Sequence, residues 1–86
     1  MLTLLCHRVT EDAAAAPTHF YRVDVTYNLF GEYTVIRAWG QVGSRGRNVN
    51  TWFSNLRDAI IVADQSYRRA TCRGYRLTEK FLASSA

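Results

Sequence analysis

Residues 20–28 alternate without a break. Tyr21, Val23, Val25 and Tyr27 fall on one side of an extended chain, and Phe20, Arg22, Asp24 and Thr26 on the other. Successive side chains of a strand point to opposite faces, so this segment has an apolar face that must be covered. The neighbouring sequence supplies the rest of a sheet. Residues 2–9 read as a first strand, apolar with a polar end. Residues 33–42 are a long run rich in β-branched and aromatic residues, reached through the connection Leu29-Phe30-Gly31-Glu32. Gly43-Ser44-Arg45-Gly46 has the glycine content of a hairpin turn, and residues 47–53 read as the returning strand.

The period then changes. Leu56, Ala59, Ile60, Ala63, Tyr67 and Ala70 recur at helical spacing, which predicts one amphipathic helix over residues 55–72. Ser54 offers its N-cap and Gly74 its end. Tyr75-Arg76-Leu77 is expected to return as a short edge strand. The four alanines at 13–16, followed by Pro17, read as a loop, although they also suit a helical turn; residues 83–86 should fray. The expected fold is α+β: a mostly antiparallel sheet of four to five strands with one helix packed on one face. A single domain is expected over residues 1–77, with a tail at 78–86.

One helix covers one face. Thr34, Ile36, Ala38, Gly40 and Val42 share a side of their strand and are small enough to suit an alanine-rich helix. Tyr33, Val35, Arg37, Trp39 and Gln41 share the other, which is expected to face solvent or ligand. Among the remaining aromatics, Tyr21, Tyr27 and Tyr67 are expected in the core with Phe20 or Phe53, and Trp52 partly exposed.

With 86 residues, the chain has room for one modest core and not for a two-domain enzyme. No apolar run approaches the roughly 20 residues of a membrane span, and the first residues lack the flanks of a signal peptide. An intracellular, cytoplasmic chain is expected, without a membrane partner. Cys6 and Cys72 are too few for a disulfide scaffold and are expected as reduced, part-buried thiols. His7 and His19 are too few for a metal site, and Cys6 and His7, being adjacent, would point to opposite strand faces. No catalytic centre, metal or cofactor is expected.

The charge is unevenly placed. Ten of the eleven basic residues behind the net +4 are arginine, and five of them fall within residues 54–77 against Asp58 and Asp64. The guanidinium is a planar fork of donors suited to phosphate and to stacking. Arg68, Arg69, Arg73 and Arg76 cluster at the end of the expected helix. One basic residue there would answer the helix dipole; four exceed that need. Upstream, residues 39–47 combine an aromatic at a strand end (Trp39), three glycines (Gly40, Gly43, Gly46), a neutral donor (Ser44) and two arginines (Arg45, Arg47). Stacking plus arginine is what nucleic-acid contact needs. On the residues alone, a core tryptophan beside a plain hairpin turn fits at least as well.

Trp39-Gly40-Gln41-Val42-Gly43-Ser44-Arg45-Gly46 resembles the signature of the WGR domain, named for its Trp-Gly-Arg motif. Phe20-Tyr21-Arg22-Val23, Leu29-Phe30-Gly31-Glu32-Tyr33, Arg37 before the motif, Asp58-Ala59 and Gly74-Tyr75 resemble further family positions in order. The resemblance runs from about Leu2 to Leu77. It implies a module that binds nucleic acid: WGR domains occur in DNA-break-dependent poly(ADP-ribose) polymerases, where they contact DNA near a break, and as small stand-alone bacterial proteins, the kind this chain resembles. It implies that Trp39 packs against DNA near its end, with Arg45 and Arg47 as nearby phosphate contacts. The candidate binding set also takes in Arg37, Gly40, Gln41 and Ser44 around the motif and, on charge placement rather than resemblance, Arg69, Arg73 and Arg76, which either share that surface or cap the helix. Gln41 stands where the family's motif has arginine, and glutamine cannot neutralise phosphate. The expected function is sequence-nonspecific binding of duplex DNA or its ends, without catalysis, at the nucleoid. The alternative is a protein-interaction or assembly module with little DNA affinity, its partner encoded separately.

Overall fold

The alternation of residues 20–28 becomes strand β2 (His19–Tyr27), flanked by β1 (Leu2–Arg8) and β3 (Tyr33–Gln41). Strand β4 (Arg47–Phe53), helix α1 (Leu56–Cys72) and β5 (Arg76–Leu82) follow. The computed structural model describes residues 2–8 and 19–82; the alanine loop and the frayed tail expected from sequence lie outside them. All strand pairings are antiparallel, in the order β4-β3-β2-β1-β5. The architecture is the expected α+β sheet with one helix packed on it.

Register decides which face the helix covers. Tyr21, Val23, Val25 and Tyr27 of β2 lie opposite Trp39, Arg37, Val35 and Tyr33 of β3. Directly opposed residues of an antiparallel pair share a face. Val23, Val25 and Val35 are buried there with Ala59 and Ala63 of α1, and Leu2, Leu4, Phe53 and Val62 close the edges. Burying each valine is worth about 1.5–3 kcal/mol. The helix therefore covers the Arg37 and Trp39 side of β3, the reverse of the assignment expected from residue size. Thr34 and Ala38 have low exposure on the open face for another reason. They are short side chains beside taller cross-strand neighbours, Trp52 for Thr34, Asn48 and Arg22 for Ala38.

Both helix ends are fixed by hydrogen bonds. Asn55, rather than Ser54, is the N-cap: its Oδ1 accepts from the Asp58 N–H at 2.9 Å, and its Nδ2 donates to Asp58 Oδ2 at 3.0 Å. Asn55→Ala is expected to cost about 1 kcal/mol and to lower the melting temperature by about 4–8 °C, read by thermal circular dichroism. At the other end, Gly74 N–H donates to the Thr71 carbonyl at 3.1 Å and Tyr75 N–H to the Ala70 carbonyl at 3.1 Å. This is a Schellman closure, and it requires the left-handed backbone that Gly74 adopts, φ +92°.

The last strand corrects the expected boundary. It runs Arg76–Leu82 instead of three residues, so residues 78–82, expected in the tail, belong to the sheet. Every residue of β5 is exposed, which left no apolar period to read. Tyr27, expected in the core, is exposed at the end of β2 with its ring 4.8 Å from that of Tyr33, while Tyr21 and Tyr67 are half-buried. Trp52 is exposed as expected. Cys6 is fully buried, which pushes its thiol pKa up by desolvation, whereas Cys72 is exposed rather than part-buried.

Candidate functional site

The strand that carries Trp39 ends in a turn packed unusually close to it. A Cβ on Gly46 would stand 2.3 Å from the Trp39 carbonyl oxygen and 3.0 Å from Phe20 Cζ; one on Gly40 would stand 2.6 Å from Gly46 Cα. Ser44 closes the turn, its N–H and Oγ both donating to the Gln41 carbonyl at 3.0 and 2.8 Å. Gly40, Ser44 and Gly46 thus serve the backbone crossing itself. The crossing lies on the open side of the sheet, so Arg45 lines a shallow depression there with Phe20, Arg22, Ile36, Ala38, Ser44, Asn48 and Asn50.

The other side of β3 holds a different arrangement. Beyond the buried valines, where the last turns of α1 pass over the sheet, a groove of about 350 Å³ opens. Arg37 and Trp39 reach it from β3, Tyr21 from β2, Arg8 from β1, Arg69, Ala70 and Arg73 from α1, and Tyr75 from the Schellman turn. Three aromatic rings form its floor: Tyr21 is stacked on Trp39 at 6.3 Å and 19°, and meets Tyr75 edge-on at 6.0 Å. The Arg8 guanidinium sits 4.9 Å from the Tyr75 ring centre and donates through Nη1 to the Arg73 carbonyl at 3.4 Å. Trp39 is half-buried, not the freely exposed platform expected from sequence.

Four of the eight lining residues are arginine and none is acidic. Ion pairs between described residues, Arg22–Asp24 at 3.0 Å and Arg68–Asp64 at 2.9 Å, engage carboxylates elsewhere. Most telling is Arg37, whose Nε is withdrawn from solvent and has no hydrogen-bond partner. A buried donor left unmade costs about 1–3 kcal/mol. Arginine forks over aromatic faces can hold phosphate and stack a base or sugar.

The structure gathers only part of the residue set expected from sequence. Arg37, Trp39, Arg69 and Arg73 meet in the groove. Gln41 and Arg47 lie on the same side of the sheet, exposed and outside the groove lining. Ser44 and Arg45 lie on the opposite side. Arg76, opposite His7, also falls on that opposite side. Arg8, Tyr21 and Tyr75 were missing from the expected set. Tyr21 was legible by its parity with Val23, and Tyr75 by its place after the helix-ending glycine; Arg8 depends on strand order, which no local pattern carries.

Residues 5–82 match the family model of the WGR domain. The chain is 29% identical over 65 residues to y4dW, an uncharacterised protein of Sinorhizobium fredii; the match covers 76% of this chain and 32% of that protein. A crystal structure of a Bacteroides fragilis protein superposes with a TM-score of 0.70 at 21% identity, covering 90% of this chain and 19% of that one. The chain thus spans about a third of one relative's length and about a fifth of the other's.

Proposed function

The chain belongs to the WGR domain family, and on that premise we propose that it binds nucleic acid, duplex DNA or DNA ends, through the groove between the end of α1 and strands β1 to β3. The observation that carries this reading is the groove itself, lined by four arginines and three aromatic rings and by no acidic group. Phosphate oxygens are the acceptors that suit these guanidinium groups, with Arg37 reaching the groove from β3 and Arg69 and Arg73 from α1. The Trp39–Tyr21 stack gives a terminal sugar or base an aromatic surface to lie against.

Gln41 is consistent with this role. It lies outside the groove lining, so the absence of an arginine there leaves the cationic cluster whole. The domain acts by binding and positioning; the groove contains no nucleophile beside a base. A protein-interaction module is the second reading, and the exposed edge strands β4 and β5 speak for it.

Fluorescence anisotropy with blunt, nicked and single-stranded oligonucleotides tests the reading. Neutralising three to four phosphates predicts a log–log salt slope of about −3 to −4 and little dependence on base sequence. Binding absent at low salt for every form would falsify it. A slope near zero would place the contact away from the arginines.

A further inference from the structure

Most of the positive charge and the most exposed apolar side chains lie at opposite ends of this molecule. The strands run lengthwise, and Trp39, the last turns of α1 and seven or more arginines crowd one end. At the other end the β2–β3 hairpin projects Leu29, as exposed as in an extended peptide, and Phe30, 86% exposed. Tyr27 and Trp52 at the same strand ends, and Leu56 and Ile60 in the first turns of α1, are exposed as well. Of the ten arginines only Arg57 lies here, and it is balanced by Glu32 and Asp58.

The hairpin tip is built to hold its apolar pair outward. Asn28 Oδ1 accepts from the N–H groups of Phe30 and Glu32 at 2.9 and 3.0 Å, and the Asn28 N–H donates to the Glu32 carbonyl at 2.9 Å. Gly31, at φ +79°, completes the turn. A loop pinned in this way cannot fold its leucine and phenylalanine back onto the sheet. Exposed apolar surface of this extent on a small domain marks a contact site.

We propose that this end is a self-association surface, at which a second copy of the chain docks about a two-fold axis. Two arguments select a copy over other occupants. Leu29, Phe30, Tyr27, Leu56 and Ile60, at the tip and on the helix side, offer roughly 600 Å² per copy, the lower end of what each partner gives to a specific interface. Charge also permits it. Copies at net +4 repel, but Tyr33 and Trp39 are six residues apart on β3, so the cationic end lies about 20 Å away along the strand. That exceeds the Debye length of about 8 Å at physiological salt, so the near-neutral apolar ends are where two copies can approach. A lipid surface lacks that support, because no basic ring surrounds the tip to meet anionic headgroups. Pairing leaves both arginine grooves open, facing outward.

Sedimentation velocity of the nuclease-treated protein from about 1 μM to about 1 mM decides the matter. The expected result is a monomer-to-dimer transition that persists or strengthens at high salt. Leu29→Asp with Phe30→Asp abolishes it, and Leu56→Gln with Ile60→Gln weakens it at least tenfold, each variant keeping the wild-type circular dichroism spectrum. A wild type monomeric throughout, open-ended growth beyond the dimer, or folded variants that pair as well as wild type would each overturn the proposal. Oligonucleotide binding by the Leu29/Phe30 variant is unchanged, which separates this surface from the groove.

Discussion

Arg37→Met is expected to weaken oligonucleotide binding by at least about tenfold, while leaving the domain as stable as wild type or more so. The two effects have one cause. A hydrogen bond to a charged group contributes about 1.5–3 kcal/mol, and the ligand loses it when the guanidinium goes. The free domain loses only a buried Nε that has no partner. Arg37 is half-buried, and methionine keeps the packing of its aliphatic stem while removing the unmet donor, so stability is held or gained. A residue held for packing would behave in the opposite way, its loss lowering the melting temperature and sparing the ligand. Arg69→Glu with Arg73→Glu should be more severe for binding, since it turns two cations at the rim into two anions. Arg45→Glu with Arg47→Glu, away from the groove lining, should cost less. Anisotropy titrations at one fixed salt concentration, paired with thermal melts, provide the comparison. An Arg37→Met protein that binds as tightly as wild type would sink the groove as the binding site.

Gly46→Ala is expected to remove more than about 3 kcal/mol of stability, a fall of roughly 15 °C or more in melting temperature for a domain of this size. Gly46 has φ +68°, where a side chain costs about 1–2 kcal/mol. The larger cost is steric. The new methyl would meet the Trp39 carbonyl oxygen at 2.3 Å, and that oxygen belongs to the backbone of the central sheet. Relief requires moving β3 or the turn, and with it the pairing of Trp39 with Arg47. Gly43 is the control: its φ is +91°, yet a Cβ there has nothing within 4 Å. Gly43→Ala should therefore cost only the backbone strain. Equal melting temperatures for the two variants would show that the close crossing contributes nothing.

The elements were legible because their periods are strong. Tyr21, Val23, Val25 and Tyr27 define a strand by themselves, and Ala59, Ala63 and Ala70 mark the buried line of the helix. The helix-covered side was not legible from β3 alone, where Arg37 and Trp39 look like a solvent face. It becomes so only through the pairing of Val35 with Val25 and Arg37 with Val23, a property of register. The groove had the same difficulty. Arg69 and Arg73 could be placed on one helix face, but Arg8 joins them only because β1 inserts between β2 and β5. Edge strand β5 carries Thr78, Glu79 and Lys80 without alternation, so its length had no signature.

The placement of the two tryptophans has a practical consequence. Trp39 is stacked on Tyr21 inside the groove, while Trp52 is 57% exposed near the apolar end. Each indole therefore senses a different pole of the same small domain. With Trp52 replaced by phenylalanine, emission follows occupancy of the groove; with Trp39 replaced, it follows events at the far end. The fold thus carries its own pair of optical reporters, and binding and association can be watched separately without a label.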